Sequence, residues 1–481
     1  MKKSISSIIC AAVLVALAGC NKQLNQQPIS DLSSALFWKT PDDAALGNAA
    51  IYDGLQKAFS SNGSFTEWGD ARSDNFTYGG TGVNQINVSL NGLNSTTGSA
   101  SWDNLYLTIS RANFAIKYLP GIKDLNETDK NNYLAQAYGA RAYAYFYIVR
   151  LWGAAPVRLD AYVNVDENPD LPRSSADSIL NNVILPDLQK ASSLSNPTYS
   201  SVFELTSGGI LSILTEVYLW QKNYAKVLET TDKLIAMKKY SLAPAATYRD
   251  IFVAGNTKEN IWTLNWDYLV DGGNGIAGKI GSSDQTSNYY IDSIPFLRLD
   301  TNKTDIRRNV IYDTTLSFAL QRIISIWKYY PLGTNGKPVV PARAQCQAKL
   351  PLYRWADILL MRAEALNKTN AQDDAIALVN SVRTRAGVTL LDPAAYTTTY
   401  DAETAILDER QLELFAEGKR WFDLVRTDRV LTVMDPLLKE RERQLGIDQT
   451  GFTDPRKILW PISRDALTGS PALTQNDPYS K

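Results

Sequence analysis

The stretch ERQLELFAEGKRWFDLVRTDR, residues 409–429, sets five carboxylates and five basic groups around one Trp and two Phe. Such a run is either acid/base machinery or the outside of a packed helix. Leu412, Phe415, Ala416, Phe422 and Val425 recur at helical spacing and form one apolar stripe. Glu417 and Arg420 stand three apart, as do Asp423 and Arg426, and such pairs support a helix by roughly 0.2–0.5 kcal/mol each. Gly418 inside a helix costs about 1 kcal/mol against Ala. It is therefore expected to admit another backbone or a large side chain at close range. The spacing predicts a packed helix with a salt-bridged outer face, and a helical fold around it.

Composition narrows the chemistry. The 481 residues contain no His, which excludes Ser-His-Asp and Cys-His catalysis and every His-containing metal site. A carboxylate-pair glycosidase or a Lys-based mechanism needs no His and stays open. The sequence has no GxSxG, no GxxxxGK[ST] and no GxGxxG. The Gly-rich run DGGNGIAGKIGSSD, residues 271–284, lacks the phosphate-loop spacing and reads as a flexible loop. No cofactor is expected, and no metal ligand set stands out.

The N-terminus MKKSISSIICAAVLVALAGC has two lysines, a short apolar run and then Leu17-Ala18-Gly19-Cys20. A run this short with basic flanks is a secretory signal rather than a membrane span. Small residues just before a Cys resemble a bacterial lipobox, which makes Cys20 the lipidation site and residues 1–19 a removable leader. Several acyl chains hold a soluble domain at a membrane, since each buried CH₂ adds about 0.8 kcal/mol. Residues 20–31 are polar and serve as the tether. Cys10 leaves with the leader and Cys20 is acylated, so Cys346 stands alone and no intramolecular disulfide is expected. Losing Lys2 and Lys3 leaves 47 basic against 50 acidic residues, a balance that speaks against nucleic acid as a partner.

Helical patterns dominate both ends of the chain. One starts at Pro41 behind a Thr40 cap, and others run over residues 101–119 and 133–153, the latter stopping at Gly153. Residues 353–387 read as helix, turn and helix, with Asn370 and Asp373 as a cap and Gly387 as the stop. Repeated helix–turn–helix units of roughly 30–40 residues suggest tetratricopeptide-like pairs. Between Tyr240 and Leu350 the texture becomes Gly-, Ser- and Asn-rich, with β-like runs at NIWTLNWDYLV (260–270) and RIISIWKYY (322–330). A second loop-rich patch spans residues 60–101. Binding residues concentrate on such loops.

Several segments in order resemble one family. They are Leu24 and Pro28, then Phe37, Trp38, Asp42, Ala44 and Tyr52, then SWDNLYLTISRANFAI and ARAYAYFYIVRLWGAAPV. RWADILLMRAEALN follows with AIALVNSVRTRAG, the opening stretch, and LWPISRDALTGSPALTQNDPY at residues 459–479. The chain resembles the SusD-like (RagB/SusD) nutrient-uptake lipoproteins of the outer membrane nearly end to end. Ser463 and Asp477-Pro478-Tyr479 depart from the family's pattern. The resemblance implies a mainly α fold, with tetratricopeptide-like helix pairs packed against an irregular loop-rich ligand-binding part with a few short strands. It implies a helical region over residues 32–240, a loop-rich candidate ligand-binding region over 241–350 and a RagB/SusD C-terminal region over 351–481. It also implies a non-catalytic, outward-facing protein, lipid-anchored to the outer membrane. Such a protein captures oligosaccharides or peptides and passes them to a SusC-like TonB-dependent transporter.

Sugars offer apolar C–H faces and a rim of hydroxyls, so an aromatic platform with Asn, Asp, Arg or Gln beside it suits them. Candidates come from the loop-rich stretches. TEWGDARSDNFTYGG offers Trp68, Asp70, Arg72, Asp74, Asn75 and Tyr78, and the middle region offers Trp266, Asp267, Tyr268, Tyr289 and Tyr290. Alternation along a strand would put Trp266 and Tyr268 on one face beside the Gly-rich loop. Trp102, Trp152, Trp355 and Trp421 fall in structural motifs and are expected in the core, and Trp327 is undecided. A polysaccharide hydrolase and a tetratricopeptide-type adaptor are the competing readings.

Overall fold

A computed structural model describes residues 37–79, 82–163, 166–284, 287–312 and 326–479. The leader, Cys20, the tether, Leu24 and Pro28 lie outside the described residues. Helix α1, Pro41–Ser60, starts from a reciprocal cap. The Thr40 hydroxyl accepts from Asp43 N at 3.2 Å, and the Asp43 carboxylate accepts from Thr40 N at 2.8 Å. Helix α2, Asp103–Tyr118, lies between α1 and α3, Glu127–Trp152. The last of these buries nearly every side chain from Ala135 on and stops at Gly153, whose φ of +74° suits glycine.

The helical layer continues through α4 (Leu185–Leu194), α5 (Ser207–Trp220), α6 (Tyr224–Ala236), α7 (Trp355–Lys368), α8 (Gln372–Ala386) and α9 (Thr399–Glu413), each packed on its predecessor. Three-residue turns join α5 to α6 and α7 to α8, which forces those neighbours antiparallel. The fold is mainly α with helix pairs, as expected. At the α7–α8 corner the expected Asn370/Asp373 cap is not made. Instead Asn370 takes a left-handed turn at φ +64°, which Asn tolerates, while Gly387 ends α8 at φ +74°.

Among the described residues six short strands pair two by two, all antiparallel. They are β1 (Phe76–Tyr78) with β5 (Tyr289–Ile291), β2 (Ala155–Pro156) with β3 (Arg173–Ser174), and β4 (Asn260–Leu264) with β6 (Leu350–Arg354). The run NIWTLNWDYLV is thus a strand only to Leu264. Asp267 then accepts a hydrogen bond from Leu269 N at 3.0 Å and starts a helical turn, Tyr268–Asp271. Of RIISIWKYY, residues 326–330 form no strand, and 322–325 lie outside the described residues.

The opening stretch departs most from its reading. It is not one helix: α9 stops at Glu413, α10 covers Arg420–Arg426, and the bend between them has Ala416 at φ +62° and Gly418 at φ +70°. Gly418 does admit a large side chain, since a Cβ there would lie 3.0 Å from the Phe65 ring, and it is Gly69 that admits the Gly418 backbone, a Cβ at Gly69 lying 2.1 Å from Gly418 O. Its charges are also not outside. Glu409, Arg410, Glu413, Glu417, Arg420, Asp423 and Arg426 are all buried. Arg354, at the end of β6, donates to Glu259 and Glu413 at 2.6 Å each and to Glu417 at 2.7 and 2.9 Å. Arg385 reaches Glu259 at 3.0 Å and also pairs with Glu413, while Lys328 donates to Glu417 at 2.8 Å. Arg307 bonds Glu409 at 2.5 Å, Arg410 bonds Asp357 and Asp423, and Arg426 bonds Glu364. Surface pairs of this kind would be worth little, but removing one partner from a buried set strands a charge at about 3–5 kcal/mol.

Candidate functional site

Most of the TEWGDARSDN segment proves to be partner to that buried set. A wide helical turn, Glu67–Ala71, turns its side chains inward. Trp68 is packed edge-on against Trp152 and Phe59, and its Nε1 donates to Ser99 O at 2.8 Å. Asp74 accepts from Arg420 and Gln411, all at 2.8–2.9 Å. Asp70 accepts from Gly418 N at 2.6 Å and from Asn75 at 2.8 Å. Burial pushes the Asp70 carboxyl up to about 7 against those hydrogen bonds. Arg72 lies 4.0 Å over the Trp421 ring and donates to Asn91, to Ile458 O and to Lys457 O. Burial lowers its pKa to about 10. Trp68, Asp70, Arg72, Asp74 and Asn75 are therefore corrected from loop contacts to core groups. This polar loop is inside because most of its polar side chains find partners on the opening stretch or its neighbours, with Asn75 Oδ1 left without one.

The middle region divides as well. Tyr289 is buried, its hydroxyl donating to Glu67 at 2.9 Å, and it too is corrected to a core residue. Trp266 does not share a strand face with Tyr268, because the strand has ended two residues earlier. It is 4 % exposed, with Nε1 donating to Gly272 O at 2.8 Å, and forms one wall of a 250 Å³ recess with Gln56, Lys57 and Asp271. Asp267 spends its carboxylate on the turn, while Tyr268 is half-buried and Leu269 and Val270 beside it are exposed. Trp102, Trp152 and Trp421 are core residues as expected, and Trp355 is half-buried against Tyr240.

Two candidates from separate stretches meet. In the β1–β5 ladder Thr77 faces Tyr290 and Tyr78 faces Tyr289. Strand alternation sends Tyr289 and Ile291 inward and leaves Tyr290 half-buried at the surface, as Tyr78 is. Tyr78 and Tyr290 both line a 330 Å³ cleft whose other wall is helix α11, Val430–Leu445. Leu437, Glu440, Arg441 and Gln444 of that helix, spaced i, i+3, i+4, i+7, share the cleft face. Sequence reading missed these four. Their spacing was visible, but nothing local joins them to a strand some 150 residues earlier.

The cleft's charges are satisfied internally. Arg441, buried in the floor, donates to Asp292 at 2.9 Å, to Phe76 O at 2.7 Å and to Ser89 O at 2.6 Å. At the rim Arg443 donates twice to Glu440, at 2.6 and 2.7 Å, and holds its carboxyl down at about 2. Beside these charges the cleft is lined by Tyr78, Tyr290, Thr77 and Leu437, by Ser293, whose hydroxyl donates to Asp292 at 3.1 Å, and by Gln444, whose amide donates to Glu440 at 2.9 Å. Among the described residues no group of His, Cys, Asp and Glu is arranged to hold a metal ion, and no helix is long and apolar enough to cross a membrane.

Comparison with known proteins places this architecture. Residues 326–479 match the model described as the SusD family, and residues 47–219 match one described as starch-binding associating with outer membrane. SusD-like protein P38 of Formosa agariphila is 30 % identical over 533 residues, spanning 100 % of both chains. Among solved structures, a laminarin-binding SusD-like protein superimposes with a TM-score of 0.74 at 21 % identity, covering 92 % of this chain and 100 % of the other. Surface glycan-binding protein A of Bacteroides uniformis does so at 0.75 and 22 %, over 91 % and 99 %. With a relative 30 % identical along the whole chain and both family models matched, this chain belongs to the SusD-like family.

Proposed function

We propose that this protein is a non-catalytic, lipid-anchored receptor of the outer membrane. It captures oligosaccharides, with peptides as the second ligand class, and passes them to a SusC-like TonB-dependent transporter. The observation that carries the reading is the Tyr78/Tyr290 cleft, where the two loop-rich stretches pair into one ladder and bring two tyrosines together with Thr77, Ser293 and Gln444 beside paired charges. A sugar's C–H face lies on a phenol ring, while Thr77, Ser293 and Gln444 meet its hydroxyls. Each well-placed ring adds about 0.5–1.5 kcal/mol beyond burial, which suits capture that must be released. The names of the laminarin-binding and glycan-binding neighbours agree with this ligand class.

Binding without turnover is supported by the state of the acids. In the cleft Glu440 is held ionised by Arg443 and so is not poised to donate a proton, and the Asp292 carboxylate is taken up by Arg441. In the opening stretch burial alone would raise the pKa of Glu413, but Arg385, Arg354 and Arg307 hold it well below the usual carboxylate range. The test is a panel of oligosaccharides titrated into the full chain in detergent, with Tyr78→Ala and Tyr290→Ala alongside. The reading expects binding without product release and a loss of about ten-fold or more in each variant. Hydrolysis of a bound sugar, or binding indifferent to both tyrosines, contradicts it.

A further inference from the structure

A second cleft lies away from the β1–β5 ladder and is larger, at 400 Å³. It opens between the turn around Arg249, the short helix Ile306–Ile311 and the hairpin that follows Trp327. Its walls are fixed before any ligand arrives. The Arg249 guanidinium donates to Trp327 O at 2.7 Å, to Tyr330 O at 3.1 Å and to Asn309 O at 3.3 Å, tying all three segments together. The hairpin is closed by Gly333 N donating to Lys337 O and Val339 N to Pro331 O, both at 2.8 Å. Leu332, half exposed, stands at its edge.

One polar group in this cleft is left short of a full partner by the fold. The Tyr312 hydroxyl is buried and reaches no partner at full hydrogen-bond geometry, a cost for a phenol removed from water. Arg308 and Asp300 act on it as charges and as weak hydrogen-bond neighbours, but they are bonded to each other at 2.8 Å. Burial raises the Tyr312 pKa to about 12, so the group is a standing donor. The Trp327 ring is half-buried, packed against the core on one side and lining the cleft on the other. An apolar-walled recess with a Trp, one under-partnered phenol, Asn309 and a rim Lys337 matches an object with one apolar face and a hydroxylated edge.

We propose that this cleft is a second saccharide site, which takes one sugar ring against Trp327 with the Tyr312 hydroxyl as its hydrogen-bond partner. This rests on the glycan-binding reading of the protein, and it adds a site with its own residues. Two sites on one chain would let an oligosaccharide stay held at one while it leaves the other, which raises effective concentration during hand-over.

The test uses the full chain in detergent, labelled with 5-fluorotryptophan at its eleven tryptophans, and the Trp327 resonance assigned through Trp327→Phe. Malto-, laminari-, cello- and xylo-oligosaccharides are the probes. The proposal expects a binding sugar to shift the Trp327 resonance in wild type and equally in Tyr290→Ala, where the first cleft is disabled. Tyr312→Phe keeps the ring and removes only a weakly bonded hydroxyl, so a purely structural role predicts no loss of stability and no loss of binding. The proposal predicts unchanged or raised stability with about five-fold weaker binding at the Trp327 resonance. A sugar that binds and is lost in Tyr290→Ala, while the Trp327 resonance never moves, overturns the second site alone. No binding by any of the sugars to wild type overturns the reading beneath it as well.

Discussion

The opening stretch and the Tyr78/Tyr290 edge are both rich in groups that bind ligands elsewhere, yet they differ in who satisfies them. In the first, every buried acid meets a cation: Glu409 meets Arg307, Glu413 meets Arg354 and Arg385, and Glu417 meets Lys328. In the second the charges pair with one another, and two tyrosines with Thr77, Ser293, Gln444 and Leu437 line the cleft beside them. Polar density therefore does not mark the site in this protein. What marks it is a cleft in which aromatic and neutral polar side chains stand together beside paired charges.

The largest break in that contrast comes from Arg354→Met. It strands Glu259, Glu413 and Glu417 in the core and is expected to lower stability by about 3–5 kcal/mol in urea denaturation, with low soluble yield at 37 °C. Trp266→Ala follows. Since the ring is packed inside, truncation should cost about 3 kcal/mol of stability, so any loss of binding it produces has to be read against unfolding. A variant as stable as wild type would show that the recess collapses around the gap.

Asp70→Asn is a smaller and more diagnostic change. The folded chain holds the Asp70 proton up to about pH 7, whereas the unfolded chain releases it near 3.8, so stability falls as pH rises through that window. The amide has no proton to lose. Wild type should therefore lose about 2 kcal/mol more than the variant between roughly pH 5 and pH 8 in parallel denaturation curves. Equal slopes would mean that Asp70 is ionised in the core, and that the charge set extends to it.

Much of the helical layer was readable from local chemistry. Thr40 with Asp43, Gly153 and Gly387 mark helix ends through caps that act within a few residues. Burial of the charges was not readable, because an acid three residues from a base fits an outer face and an inner one equally well. Only the long-range partners Arg354, Arg307, Arg385 and Asp74 decide between them. The candidate site was half readable. Tyr78 and Tyr290 stood out as aromatics in loop-rich sequence, but their pairing spans more than 200 residues, and α11 had no local sign of facing them. Trp68 and Tyr289 carried the same signal and lie in the core, since aromatic residues in irregular segments are as useful for packing as for binding.

The most direct measurement takes two numbers from one variant. Tyr290→Ala, in the full chain, is titrated calorimetrically with an oligosaccharide that wild type binds, and the same preparation is unfolded in urea. The account predicts affinity at the ladder cleft weaker by about ten-fold or more, and stability within about 1 kcal/mol of wild type, because the ring is half-buried at a sheet surface. A folded Tyr290→Ala that binds as tightly as wild type at that cleft would contradict it.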